Sequence, residues 1–196
     1  MATLPVLLDA CTIFPYTLVD TLFRSAEQGL YQVYFSNKIL DEALRNRVKR
    51  GMTEAGAKLF HQKVIEAFPE ALVEAPPELE ALMTNDPKDR HVLAAAVSAK
   101  VDFIITSNLK DFPSASLAPW NIIAIHPDRF LEMLCDEYSD ATMYNIIVAQ
   151  AASYRKSFDP QQPNKTPPVT TLELISVFAK EQPNFADRMR SCSIRS

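Results

Sequence analysis

Two patterns of apolar and polar positions alternate along the first two thirds of the chain. Between short apolar runs, apolar residues recur every three or four positions, which is typical of helices that bury one face. Strands separated by helices indicate a parallel sheet covered on both faces, so we predict a three-layer α/β/α fold with about five strands. The runs with the composition of buried strands are 6–8, 31–35, 72–73, 103–106 and 122–125.

The last part of the chain has a different pattern. Residues 139–158 predict one long helix, 159–163 are rich in helix-breaking residues, and 172–178 predict a further helix before a basic tail. We therefore predict an α/β domain over 1–138 and a helical C-terminal extension over 139–196.

Composition excludes several classes of site. The chain has 196 residues, 47% of them hydrophobic, and a formal net charge of −4. This length is sufficient to bury a hydrophobic core without disulfide bonds or structural metals. Only three glycines occur, none in a glycine-rich loop, so a dinucleotide fingerprint or a P-loop is excluded. Three widely spaced cysteines argue against a disulfide framework or a zinc site and favour a cytoplasmic location. Neither a signal peptide nor a membrane span is predicted.

Four acidic residues stand where a parallel sheet gathers functional groups. Asp9 directly follows the first strand, Glu42 lies on the helix after the second, Asp89 begins an alanine-rich helix, and Asp111 follows the 103–106 strand. Groups beyond the carboxyl ends of such strands can meet at one edge. Clustered carboxylates repel each other unless protons or cations are present, and oxygen ligands suit Mg²⁺ or Mn²⁺. Because two such ions can promote in-line phosphoryl displacement by water, we predict a metal-dependent phosphodiesterase.

Four sequence blocks, in the same order, resemble the motifs of the PIN domain family over roughly residues 4–135. They are DACTIFP at 9–15, SNKILDE at 36–42, DPKDRHVLAAA at 86–96 and TSNLKDFP at 106–113. The resemblance implies a small α/β/α ribonuclease, and many bacterial members of the family are the toxins of VapBC-type toxin–antitoxin pairs. It therefore also implies an RNA substrate, a cognate antitoxin protein and, since dimers are common in the family, a homodimer.

The same resemblance implies roles for individual residues. Asp9, Glu42, Asp89 and Asp111 are the expected catalytic metal ligands for two Mg²⁺ or Mn²⁺ ions, and Asn108 is an expected polar helper. Many members carry Asn two residues after the first Asp, where this chain has Cys11. That departure puts in doubt the support that the metal ligands receive from their neighbours.

Several residues also have plainer interpretations. Asp9 and Asp89 can each cap the helix that follows. Asp86 is most simply a turn residue before Pro87, and the alternative is a peripheral role at the site. His91 is secondary to the acids, as a residue of the helix surface or a neighbour of the ligands, because metal-assisted hydrolysis needs no histidine base. The basic residues beyond Glu42 are either a solvated face or contacts to RNA phosphates. These are Arg45, Arg47, Lys49 and Arg50, with Arg45 expected to be the most important.

Two rival functions remain open at this point. A catalytically inactive PIN module that binds RNA or protein would fit the loss of Asn at Cys11, although the four intact acids favour an enzyme. A phosphatase of the haloacid dehalogenase type also places an Asp after its first strand, but it needs a second Asp where Cys11 stands. Divalent-ion-dependent cleavage of RNA separates these possibilities.

Overall fold

The computed structural model describes residues 3–154 and 168–194, which form two compact units. The first unit consists of the described residues within Met1–Val19 and Ala26–Pro127, and the second of those within Asp20–Ser25 and Asp128–Ser196. The division into domains at 138/139 stays a prediction.

A parallel sheet with flanking helices forms the first unit. Its strands are β1 (Pro5–Leu8), β2 (Gln32–Tyr34), β3 (Phe103–Ile105) and β4 (Ile123–Ile125), in the spatial order β2-β1-β3-β4. Its helices are α1 (Ala10–Ile13), α2 (Tyr16–Glu27, whose middle belongs to the second unit), α3 (Asn37–Lys49), α4 (Glu54–Ala67), α5 (Pro77–Ala81), α6 (Arg90–Ala99) and α7 (Ser114–Leu117), with short 3₁₀ turns at Leu109–Asp111 and Ala118–Trp120.

The predicted strand at 72–73 does not form. Only a single parallel bridge joins Leu72 to Phe35, so the sheet formed by the described residues has four strands instead of about five. The reason is local. Ser36 accepts a hydrogen bond from the backbone N–H of Ile39 and thereby begins α3 directly after Phe35, which leaves no further residue for a ladder.

The two central strands are buried on both faces. Val6, Leu7 and Leu8 of β1 have no exposed surface, and neither have Ile104 and Ile105 of β3. This explains their continuous apolar sequences, because helices cover a parallel sheet on both sides. The register pairs Leu8 with Ile105, so Asp9 and Thr106, the next residues along each chain segment, lie side by side at the carboxyl edge.

Besides the middle of α2, the described residues of the second unit form four helices, as predicted for the C-terminal extension. They are α8 (Pro127–Tyr138), α9 (Asp140–Ser153), α10 (Thr171–Phe178) and α11 (Pro183–Ser193). The predicted long helix ends earlier than expected, because Tyr154 has an extended backbone conformation. Its remaining residues and the predicted breaker-rich segment 159–163 lie outside the described residues. Within the described part of the chain, no helix is long and apolar enough to cross a membrane.

Candidate active site

Asp9 is held in one orientation at the carboxyl end of β1. Its Oδ1 accepts a hydrogen bond from the backbone N–H of Ala10 at 2.6 Å, so it caps α1 as the plainer interpretation expects. Its Oδ2 accepts from the Thr106 hydroxyl at 2.7 Å and from the Cys11 thiol at 3.1 Å. The carboxylate also lines an open pocket, so capping and a role in that pocket coexist.

Thr106 is a site residue that the sequence analysis missed. It is fully buried, and besides donating to Asp9 its Oγ1 accepts a hydrogen bond from the backbone N–H of Asn108 at 3.0 Å. The signal was present in the sequence, because Thr106 directly follows a buried strand and begins the TSNLKDFP block. Its side chain links the loop after β3 to the first acid.

Cys11, which stands where the resemblance implies an asparagine, acts as a hydrogen-bond donor. Its Sγ lies 3.1 Å from Asp9 Oδ2 and accepts a hydrogen bond from the backbone N–H of Ser107 at 3.2 Å. Burial and then the charge of Asp9 raise the pKa of the thiol to about 11. The thiol therefore stays protonated at neutral pH, which suits a hydrogen-bond donor and not a nucleophile.

Three of the four predicted acids line one pocket. This pocket has a volume of about 330 Å³ and brings together Asp9, Glu42 and Asp89 with Asn108. Glu42 reaches it from α3 and Asp89 from the position before α6, where its side chain makes no capping hydrogen bond. The expected capping role of Asp89 is therefore not fulfilled by its carboxylate.

The carboxylates of the cluster affect one another strongly. Burial, followed by the negative charges of its neighbours, raises the pKa of Asp89 to about 6; the neighbours act in the order Asp9, Asp111, Glu42 and Asp86. Repulsion of this kind favours whatever brings positive charge to the cluster, a proton or a cation. Among the charged residues that line the pocket, the three acids outnumber the two cations, Lys49 and Arg50.

Asp111 and Asp86 lie at the edge of this cluster. Asp111 ends the 3₁₀ turn after β3, where its carbonyl accepts the backbone N–H of Asp86 at 3.3 Å, but its side chain does not line the pocket. Asp86 Oδ1 accepts the backbone N–H of Lys88, which is the predicted turn.

Among the residues that the structure describes, no three His, Cys, Asp or Glu side chains are arranged closely enough to form a metal-binding group.

His91 is buried and not on the helix surface. Its Nδ1 lies 2.9 Å from the carbonyl oxygen of Lys88, and its Nε2 lies 3.6 Å from Glu42 Oε2. Burial, followed by the charge of Lys38, lowers its pKa, which favours a neutral ring at neutral pH. Because Nδ1 donates to a carbonyl oxygen, the neutral ring carries no proton on Nε2 and makes no hydrogen bond to Glu42. His91 therefore lies beside this acid, as the alternative of a ligand's neighbour supposes.

The prediction that Arg47 contacts RNA requires correction. Its guanidinium is buried, donates to the carbonyl oxygens of Ile13 at 2.6 Å and Phe14 at 2.9 Å, and stacks 4.4 Å from the centre of the Phe60 ring. The helical period places Arg47 on the same face of α3 as Leu40 and Ala43, and this face is buried. Arg47 thus fixes the C-terminal end of α1 to α3.

The other three cations are exposed, but they do not share one site. Lys49 and Arg50 line the carboxylate pocket, where the Arg50 guanidinium lies 5.1 Å from the centre of the Phe14 ring. Arg45, expected to be the most important, lines a neighbouring groove instead. Lys49 follows Glu42 by almost two full helical turns and so lies directly above it, whereas Arg45, three residues after Glu42, is rotated by about 60° towards the neighbouring groove.

Comparison with known proteins gives two matches. A family model described as PIN domain matches residues 5–110. A protein of Mycobacterium tuberculosis named "Putative ribonuclease VapC50" is 39% identical over 113 residues, which cover 58% of this chain and 60% of that protein. The match thus spans well under two thirds of that relative. No solved structure matches significantly.

Proposed function

The chain belongs to the PIN domain family, and we propose that it is a divalent-metal-dependent endoribonuclease that hydrolyses RNA phosphodiester bonds. The observation that carries the proposal is the pocket in which Asp9, Glu42 and Asp89 converge beside Lys49 and Arg50. Negative groups at the centre suit a metal ion, and positive groups at the wall suit the phosphates on either side of the cut. The name of the mycobacterial relative supports the same activity.

The donor chemistry of the pocket fits Mg²⁺ or Mn²⁺, and its carboxylates would have to draw closer together than they stand to share an ion. Its acidic groups are carboxylates from separate elements, the pKa of Asp89 is raised by its neighbours, and the only thiol at the pocket stays protonated. Asp9, Glu42 and Asp89 would hold the ions, with Asp111 joining from the edge and Asn108 as a neutral oxygen donor. When bound, such ions lower the pKa of water and neutralise charge on a phosphate.

The residues of the chain itself have distinct tasks in this reaction. Thr106 and Cys11 keep Asp9 pointing into the pocket, and the neutral ring of His91 lies beside Glu42. Arg50, stacked against Phe14, and Lys49 can hold the RNA phosphates close to the acids without being drawn into the acidic centre. Arg47 keeps α1 and α3 together, so that Asp9 and Glu42 face each other.

The biological setting we propose is that of a toxin in a VapBC-type toxin–antitoxin pair. The PIN domain and the VapC name of the relative support it. A cognate antitoxin, a homodimer, a cytoplasmic location and a boundary between nuclease domain and extension at 138/139 are parts of this proposal. The measured mass in solution at micromolar concentration tests the dimer.

The activity has a direct test. We expect the purified chain to cleave an unstructured RNA in the presence of Mn²⁺ or Mg²⁺ and to lose that cleavage when EDTA is added, with recovery on renewed metal. The measurement is gel electrophoresis of an end-labelled RNA. Intact RNA under all metal conditions would support the alternative, a catalytically inactive PIN module that binds RNA or protein.

Thr106→Val is expected to lower cleavage by about 10–100-fold, the usual cost of losing a residue that orients a metal ligand. Valine keeps the shape of the side chain but removes the hydroxyl that donates to Asp9. Thr12→Val is the matched control, because Thr12 is equally buried but donates to the carbonyl oxygen of Ile105 and not to a carboxylate. Steady-state cleavage rates check the prediction, and equal rates for the two variants would contradict it.

A further inference from the structure

A second groove lies beside the carboxylate pocket, between α3 and α4. Its volume of about 640 Å³ is roughly twice that of the pocket and falls in the range of sites for small organic ligands. Leu44, Val48 and Ala57 form an apolar floor, and Leu44 and Ala57 are buried. His61 adds an aromatic ring at the wall.

Helix α3 connects the two depressions. Successive residues are rotated by about 100° around a helix, so positions 41, 44, 45 and 48 form one stripe and positions 42, 46 and 50 form the adjacent one. The first stripe lines the groove, and the second lines the carboxylate pocket. Lys49 lies between the stripes and lines both. A chain that passes from the acids into the groove therefore crosses Lys49.

The charges of the groove fit a nucleotide. Arg45, Lys49 and Lys58 are exposed there and can contact phosphates. Two acids, Asp41 and Glu54, also line the groove, and carboxylates accept hydrogen bonds from the amino groups of bases. Proteins that hold single-stranded nucleic acid combine a positively charged groove along the backbone with aromatic side chains on which bases stack. The groove has both, since its three cations stand beside the ring of His61 over an apolar floor.

We propose that the groove between α3 and α4 is a nucleotide-binding subsite for the RNA strand that enters the carboxylate pocket. Lys49 contacts the phosphate between the pocket and the groove, and Lys58 with Arg45 contacts the next one. The base lies on the apolar floor beside His61. The inference rests on the proposed ribonuclease function, since it assigns a binding position to a nucleotide next to the cleaved bond.

The salt dependence of RNA binding tests the phosphate contact. A fluorescein-labelled, unstructured RNA of ten nucleotides is titrated with the full chain carrying Asp9→Asn, which is expected not to cleave, and binding is followed by fluorescence anisotropy at several salt concentrations. The logarithm of the association constant falls with the logarithm of the salt concentration. Adding Lys58→Ala should make this negative slope shallower by about 0.7, the value for one phosphate of a single strand. Lys63→Ala is the control, because it removes the same charge from an exposed position of α4 outside the groove.

The base contact gives a different signature. His61→Ala in the same background should weaken binding by about fivefold or more, the effect of losing one stacked base, with an unchanged salt slope. A loss of fold would instead appear in the circular dichroism spectrum and in binding at every salt concentration. The two variants therefore separate the phosphate and base parts of the subsite.

The possible results decide between the occupants. If Lys58→Ala and Lys63→Ala bind RNA with equal affinity and slope, the proposal is overturned and a protein segment becomes the better occupant of the groove. If Lys58→Ala alone changes the slope, the subsite is supported. The ribonuclease function is judged separately by metal-dependent cleavage with the unsubstituted chain, so a cleaving enzyme whose groove variants bind normally refutes only the subsite.

Discussion

Replacing Asp9 by Asn is expected to lower RNA cleavage by roughly 10³-fold, the scale on which removal of one charge-stabilising group acts in a catalytic site. The substitution removes a negative charge from the centre of the proposed metal site and changes little else. The amide oxygen can still accept the backbone N–H of Ala10, and the amide nitrogen then faces the Thr106 hydroxyl and the Cys11 thiol, which can rotate to accept from it. The fold should therefore survive.

Two measurements separate loss of chemistry from loss of structure. Cleavage of labelled RNA with saturating Mn²⁺ gives the activity, and thermal unfolding followed by circular dichroism gives the stability. Asp102→Asn is the matched control, because Asp102 is exposed and precedes β3 at the opposite edge of the sheet. Cleavage by the Asp9→Asn variant at the rate of the control would refute the proposed role of the carboxylate cluster.

The sheet and the position of its carboxyl edge follow from the apolar pattern, because a parallel sheet requires continuous apolar strands. The pairing of Leu8 with Ile105 is not visible in that pattern, and it alone places Thr106 against Asp9. A threonine after a strand has no special meaning until its neighbour is known. The sequence analysis therefore found the acid and missed the residue that orients it.

The sequence also did not reveal which surface each of the basic residues at 45–50 would reach. Four cations within six positions predict a phosphate-binding surface, but the helical period distributes them over different faces. Lys49 and Arg50 reach the pocket, Arg45 reaches the groove, and Arg47 is buried on carbonyl oxygens and an aromatic ring. The packing of α1 and α4 against α3 decides which face of α3 is buried. This packing cannot be read from the sequence of α3 itself.

Asp89→Asn is expected to raise the melting temperature in the absence of divalent ions while it abolishes RNA cleavage. Burial and the charges of its neighbours raise the pKa of Asp89 to about 6, so the ionised side chain destabilises the fold at neutral pH. Asn removes the charge and keeps the shape. Because the side chain is partly exposed, solvent screens the effect, and we expect a rise of roughly 2–4 °C, the shift produced by about 1 kcal/mol in a chain of this size.

The difference in free energy of unfolding between the Asp89→Asn variant and the unsubstituted chain should depend on pH with a definite sign. The folded chain holds a proton on Asp89 up to a pH of about 6, whereas the unfolded chain loses it near pH 3.8. Between these values the folded state binds more protons, so the contribution of Asp89 to the free energy of unfolding falls as the pH rises. The advantage of Asn should be complete above about pH 6 and vanish below about pH 4. Thermal unfolding at pH 4, 5, 6 and 7.5 measures it, with Asp102→Asn as the control.

Divalent ions should reverse the order of stability. An ion that binds the folded state alone raises the free energy of unfolding by about 2.7 kcal/mol at 100 times its Kd. Asp89→Asn lacks one of the proposed ligands, so the ion should stabilise it less than the unsubstituted chain. Without metal the variant is then the more stable protein, and with saturating Mn²⁺ the less stable one. A capping or turn acid would produce no such reversal, so equal stabilisation of both proteins by Mn²⁺ would remove Asp89 from the metal site.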